Sequence, residues 1–127
     1  MNHNIFATAI NCMDGRVQIP VIEWLKRLSG VDYVDMITEP GPERLLAEGI
    51  DQAAIESIKK RLGISITRHN SKTVAIVGHH DCAGNPADKE TQQEQIITAI
   101  KVLKSWSFEV RIIGLYVDEN WEIHEVK

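Results

Sequence analysis

Four short apolar runs, separated by longer segments of helical period, constrain this chain more than any other feature. Residues 4–12 read as a buried strand, and Val31–Thr38 is rich in β-branched and aromatic residues. Thr73–Gly78 and Glu109–Val117 repeat the pattern. Between the first two runs, Val17, Val21, Trp24, Leu25 and Leu28 share one helical face. Pro20 is acceptable in that helix's first turn, and Gly30 stands where it would stop. Glu39-Pro40-Gly41-Pro42 reads as a turn. Leu45 to Lys60 carries its charges on one side, as a solvated helix face does. From Asp51 onward Ile55, Ile58, Leu62, Ile66 and His69 keep a helical period, although the alternation of Ile64 and Ile66 leaves a strand open. Pro86–Ser105 reads as a helix burying Ile96, Ala99, Ile100 and Leu103, with Asn85-Pro86 as its cap and first turn. Trp121–Val126 reads as a short hairpin partner of the fourth strand.

Strand and helix in alternation mean parallel pairing with right-handed crossovers. The expected fold is therefore α/β: a mainly parallel four-stranded sheet flanked by helices, with a short C-terminal antiparallel strand. At 127 residues the chain is one domain, 1–127, with a single core. No apolar stretch approaches a membrane span, and Met1-Asn2-His3-Asn4 lacks the basic region of a signal peptide. A net charge of −4 and a pI near 5.7 argue against a nucleic-acid partner. Two cysteines are few for a secreted scaffold of this size, so reduced thiols in a cytoplasm are expected.

Both cysteines fall in short motifs, each placed where a strand would run out. The first is Cys12-Met13-Asp14-Gly15-Arg16 and the second His79-His80-Asp81-Cys82. Two thiolates and an imidazole suit zinc, and three protein ligands leave a fourth tetrahedral position open for chemistry. Small buried hydrophobes in a metal-free α/β protein are the bland alternative for the cysteines. His80 competes with His79 as the nitrogen ligand. Spacing favours His79, from which the loop can curl back to bring Cys82 to the same ion. A carboxylate such as Asp14 beside a zinc-bound water can take its proton, and a guanidinium such as Arg16 can clamp that carboxylate bidentately. His80 and Asp81 read as a solvated loop pair, and Gly15 and Gly84 as backbone-geometry residues. His3, His69 and His124 read as surface, and Trp24, Trp106 and Trp121 as core and rim packing.

The pair C-x-D-x-R and H-x-x-C, here Cys12, Asp14, Arg16, His79 and Cys82, resembles the motif pair of the β-class carbonic anhydrases. Gly114-Leu115-Tyr116-Val117-Asp118, followed by Trp121-Glu122-Ile123, is similar to that family's last strand and hairpin. The resemblance implies that strands one and three are neighbours, so that the two motifs converge. It implies one zinc ion (Zn2+) per chain on Cys12, His79 and Cys82, with Asp14 orienting the water-derived nucleophile and Arg16 positioning Asp14. In some members of the family the aspartate instead ligates zinc and closes the site. The implied reaction is reversible hydration of carbon dioxide to bicarbonate. Hydrolysis of carbon disulfide or carbonyl sulfide, or a non-catalytic zinc domain of the same fold, are the alternatives. A homo-dimer or larger assembly is implied as well, and exposed area on Trp24, Tyr33 and Trp106 agrees with it. Thr38–Pro42 replaces the asparagine-rich wall of the family's pocket, and Ala83 the glycine common after the second cysteine.

Overall fold

The computed structural model describes residues 4–127, so His3 lies outside the described residues. Strand β1 (Phe6–Cys12) leads through a 3-10 turn at Gly15–Val17 into helix α1 (Gln18–Ser29). Gly30 ends α1 at φ 63°, returning its N–H to the Lys26 carbonyl. Strand β2 (Tyr33–Glu39) and helices α2 (Pro42–Glu48) and α3 (Gln52–His69) follow. Strand β3 (Thr73–His79), helix α4 (Lys89–Ser105), strand β4 (Arg111–Val117) and strand β5 (Ile123–Val126) complete the chain.

The strands lie in the order β2-β1-β3-β4-β5, the first four parallel and β5 antiparallel to β4. This is the expected α/β sheet, with the C-terminal strand as its fifth member. Alternate residues serve opposite faces. On β3, Ala75 and Val77 pack with Val17, Val21 and Leu25 around α1. Val74 and Ile76 pack instead with Leu46, Ile55, Ile58, Leu62, Ile96 and Leu103, beneath α2, α3 and α4. Covered on both sides, β1 and β3 are buried almost throughout, which explains their unbroken apolar runs. From β1 the chain goes one way to β2 and then crosses to β3 on the other side. The carboxyl ends of β1 and β3 thus form the point where sheet direction switches, the usual place for a site in such folds.

Two local expectations need correction, and one open alternative closes. The helical stretch around Leu45–Lys60 is two helices, because Gly49 turns left-handed at φ 67° and Asp51 starts a new helix by accepting the Ala54 N–H. Ile64 and Ile66 lie inside α3, where its 18 residues leave no room for a strand. The cap of α4 is Asp88, which accepts the Thr91 N–H at 2.8 Å, and Asn85 is buried with its side chain donating to Gln95 Oε1. His69 and His124 are surface residues as expected, each engaged by a carboxylate: Asp35 at 2.7 Å and Asp118 at 2.6 Å.

Candidate metal centre

Cys12 is the last residue of β1, and His79 the last of β3. Parallel pairing of these strands brings the two motifs to one end of the sheet. The chain after Cys12 is tied down at once. The Cys12 N–H donates to Asn11 Oδ1, whose amide nitrogen reaches the Val17 carbonyl, and Gln18 Nε2 donates to the carbonyls of Cys12 and Asp14. After His79, the His80 N–H pairs with the Val117 carbonyl and Asp81 turns left-handed at φ 58°. That turn returns Cys82 toward the strand ends. Gly84 is required by close approach, since a Cβ there would stand 2.6 Å from the Pro40 carbonyl carbon. Gly15 has open space and no left-handed φ, so its expected geometric role is not found.

One ligand atom each from Cys12, His79 and Cys82 lies within 4.8 Å of the others. All three residues are buried, at 3 %, 0 % and 3 % exposure. The sulfurs are 3.8 Å apart, far beyond the ~2.05 Å of a disulfide. That separation matches the edge of a tetrahedron with Zn–S bonds of about 2.3 Å, roughly 3.8 Å. His79 Nδ1 is 2.7 Å from the His80 carbonyl oxygen, which fixes the proton there and leaves Nε2 with a lone pair. Nε2 is buried and has no hydrogen-bond partner. A metal ion would satisfy it, and the residues present fit zinc. His80 is exposed and takes no part in this group.

Electrostatics of the group are those of ligands that share charge. The hydrogen bond with Cys82 holds the Cys12 thiol well below its usual range against the effect of burial, helped by His79 and by backbone N–H groups of Gly41 and Asp14. Cys82 is pushed up because its thiol hydrogen-bonds to the Cys12 sulfur, with burial and the nearby Cys12 charge adding to the effect. For His79, burial works against the charged ring, but the neighbouring Cys12 sulfur and the His80 carbonyl outweigh it and raise the imidazole. A divalent cation would relieve both sulfurs together.

Asp14 and Arg16 meet as a two-point clamp. Arg16 Nη2 donates to Asp14 Oδ2 at 2.7 Å, while Nε lies 3.1 and 3.2 Å from the two carboxylate oxygens. This hydrogen bonding holds Asp14 down to about 2 and raises Arg16 above its already high range. Arg16 also touches Asp81, so the expected solvated loop pair is half engaged.

Two buried polar residues escaped sequence reasoning. Gln92 of α4 braces the His79–Ala87 loop: Oε1 accepts the His79 N–H, and Nε2 donates to the carbonyls of His79, Asn85 and Ala87. Glu43 of α2 is 1 % exposed, with neither oxygen in a formed hydrogen bond, and burial pushes it up to about 7. Both crowd Gly78, where a Cβ would meet Glu43 Oε2 at 2.4 Å and Gln92 Oε1 at 2.7 Å. Their signal in the sequence is weak, because Glu43 opens a charged stretch and Gln92 sits in a polar one. An open cleft of about 270 Å³ is lined by Pro40, Gly41, Arg44, Ile50 and Gly84 among others, and by none of the three candidate ligands.

With this geometry in view, comparison gives the class. Residues 2–127 match the family described as "Putative carbonic anhydrase", and the chain belongs to that carbonic anhydrase family. The fold is that of solved β-carbonic anhydrases. Isoform I from Trichomonas vaginalis superposes with a TM-score of 0.66 at 14 % identity, covering 98 % of this chain and 82 % of that one. A carbonic anhydrase from Glaciozyma antarctica gives 0.64 at 14 % identity with the same coverages. A structure from Sordaria macrospora, described as one of two tetrameric β-carbonic anhydrases, gives 0.59, again at 14 % identity over 98 % and 82 %. No curated protein matches the chain. Among the described residues, no helix is long and apolar enough to cross a membrane.

Proposed function

We propose that the protein binds one zinc ion through Cys12, His79 and Cys82 and catalyses the reversible hydration of carbon dioxide to bicarbonate and a proton. The observation that carries this reading is the orphaned, buried His79 Nε2 facing two thiols spaced as a tetrahedral site requires. Bound there, zinc would supply the acidity that makes water nucleophilic near neutral pH. The protein's own residues do the rest. The His80 carbonyl and Gln92 hold the His79 ring and main chain in place. Arg16 keeps Asp14 ionised, so its carboxylate is ready to accept a hydrogen bond and orient the attacking oxygen's lone pair. Membership of the carbonic anhydrase family supports the reaction class.

Two free cysteines support a reducing, cytoplasmic setting. A homo-oligomer is part of the same reading. Apolar side chains such as Ile5, Ile19 and Tyr33 stand 47 %, 65 % and 51 % exposed, and the Sordaria relatives are described as tetrameric.

The test is stopped-flow CO2 hydration by protein purified without chelator, alongside elemental analysis. The reading expects about one zinc per chain and activity that disappears on metal removal and returns with zinc. Zinc without hydration would make this a non-catalytic zinc domain, and turnover of carbonyl sulfide or carbon disulfide instead would move the substrate.

A further inference from the structure

Arg16 is held from more sides than a carboxylate–guanidinium pair needs. Besides its clamp on Asp14, Nη2 donates to the Asp81 carbonyl at 3.1 Å, and Nη1 lies 3.3 Å from Asp81 Oδ2. One face of the guanidinium rests on the Trp121 ring, with Cζ 4.7 Å from the ring centroid. The Arg16 side chain is 45 % exposed and that of Asp81 72 % exposed. Ion pairing that wet contributes little order by itself.

The backbone reinforces the point. Asp81 and Trp121 both adopt left-handed backbone, at φ 58° and 61°. Aspartate tolerates that region, but a bulky aromatic there is an outlier held by its surroundings. Asn120 would occupy such a position more easily, yet the left-handed turn falls on Trp121. The turn is firmly built: Asp118 Oδ1 accepts the N–H groups of Asn120 and Glu122, the Trp121 N–H donates to the Asp118 carbonyl, and His124 Nε2 lies 2.6 Å from Asp118 Oδ2. Its result is to lay an indole over Arg16.

We propose that Trp121 is a positioning residue, whose ring holds the Arg16 guanidinium against Asp14 and so ties the β4–β5 turn to the metal centre. Its value to catalysis rests on the proposed roles of Asp14 and Arg16. The ordering of Arg16 is a separate physical claim that can be read without turnover. Stacking gives a guanidinium one fixed plane, and the Asp81 carbonyl then closes the side away from Asp14.

The experiment uses zinc-loaded, full-length, 15N-labelled protein and follows the Arg16 Nε–Hε signal, assigned by its loss in Arg16→Lys. Solvent exchange of this proton is compared in wild type, Trp121→Leu and Trp121→Phe. Both substitutions keep an unbranched β-carbon at the same strained position, and amide spectra report folding. Trp121→Leu should speed exchange about two- to fivefold, the range expected for a half-exposed cation–π contact. Trp121→Phe, which keeps a ring, should recover most of the protection. CO2 hydration by the same three proteins should follow the same order. Equal exchange in all three folded, zinc-replete proteins would overturn the proposal. An inactive wild type that still shows ring-dependent protection would sustain it and remove the hydratase reading instead.

Discussion

Gln92 and His79 exchange two hydrogen bonds: the His79 N–H donates to Gln92 Oε1 at 3.0 Å, and Gln92 Nε2 donates to the His79 carbonyl at 2.9 Å. A side chain of α4 thus pairs with the end of β3 as a neighbouring strand would. Groups that orient a metal ligand from behind commonly change affinity by about 10- to 100-fold when removed. Gln92→Leu should therefore weaken zinc binding within that range. Gln92→Glu, which keeps an acceptor for the His79 N–H but loses the donors, should fall between. Competition against a chromophoric chelator measures this, and wild-type affinity in a folded Gln92→Leu protein would contradict it.

Glu43 gives a pH dependence with a definite sign. Burial raises its folded-state pKa to about 7, whereas in the unfolded chain it titrates near ~4.3. Between those values the folded protein keeps a proton that the unfolded chain has lost. Stability should fall as pH rises through that window, by about 4 kcal/mol at most, and stay low above it. Denaturant titration of metal-free protein across the window should show this slope, and Glu43→Gln should flatten it. An identical slope in the variant would remove Glu43 as its source.

The 3.8 Å between the Cys12 and Cys82 sulfurs is short enough for oxidation after a small shift. In metal-free protein, diamide should consume both thiols without forming covalent dimers. Zinc should protect them, because its ligands are bound thiolates. A thiol count with a non-reducing gel decides the matter, and intermolecular dimers as the main product would contradict the arrangement.

Two glycines should behave oppositely. Gly84→Ala forces a Cβ to 2.6 Å from Pro40 backbone and should cost about 1–3 kcal/mol. Gly15→Ala meets nothing within 4 Å and should change stability by less than about 0.5 kcal/mol. Thermal unfolding of the two variants checks both, and equal losses would contradict the packing at Gly84.

Strands β1 and β3 were legible because burial on both faces writes itself into the chain as local apolar runs, and the half-exposed edge strand β2 because it is rich in β-branched and aromatic residues. The two motifs were legible because each is contiguous and sits at a strand's end. The break at Gly49 was not, since one left-handed residue does not disturb the helical period on either side. Asn85-Pro86 has the composition of a helix start, but Gln95 and the loop claim Asn85, and Asp88 three residues later takes the cap. Glu43, Gln92 and Trp121 owe their roles to neighbours distant in the chain. A charged residue in an amphipathic stretch reads as solvated until the loop that covers it is in place.

Zinc-edge X-ray absorption of protein purified without chelator tests the central claim most directly. The account predicts about two sulfur ligands near 2.3 Å and one or two nitrogen or oxygen ligands near 2.0–2.1 Å. The sulfur count should fall to about one in Cys82→Ser protein that still retains metal. A wild-type shell of nitrogen and oxygen alone, or no bound metal after zinc is offered under reducing conditions, would contradict the assignment of Cys12, His79 and Cys82 as ligands.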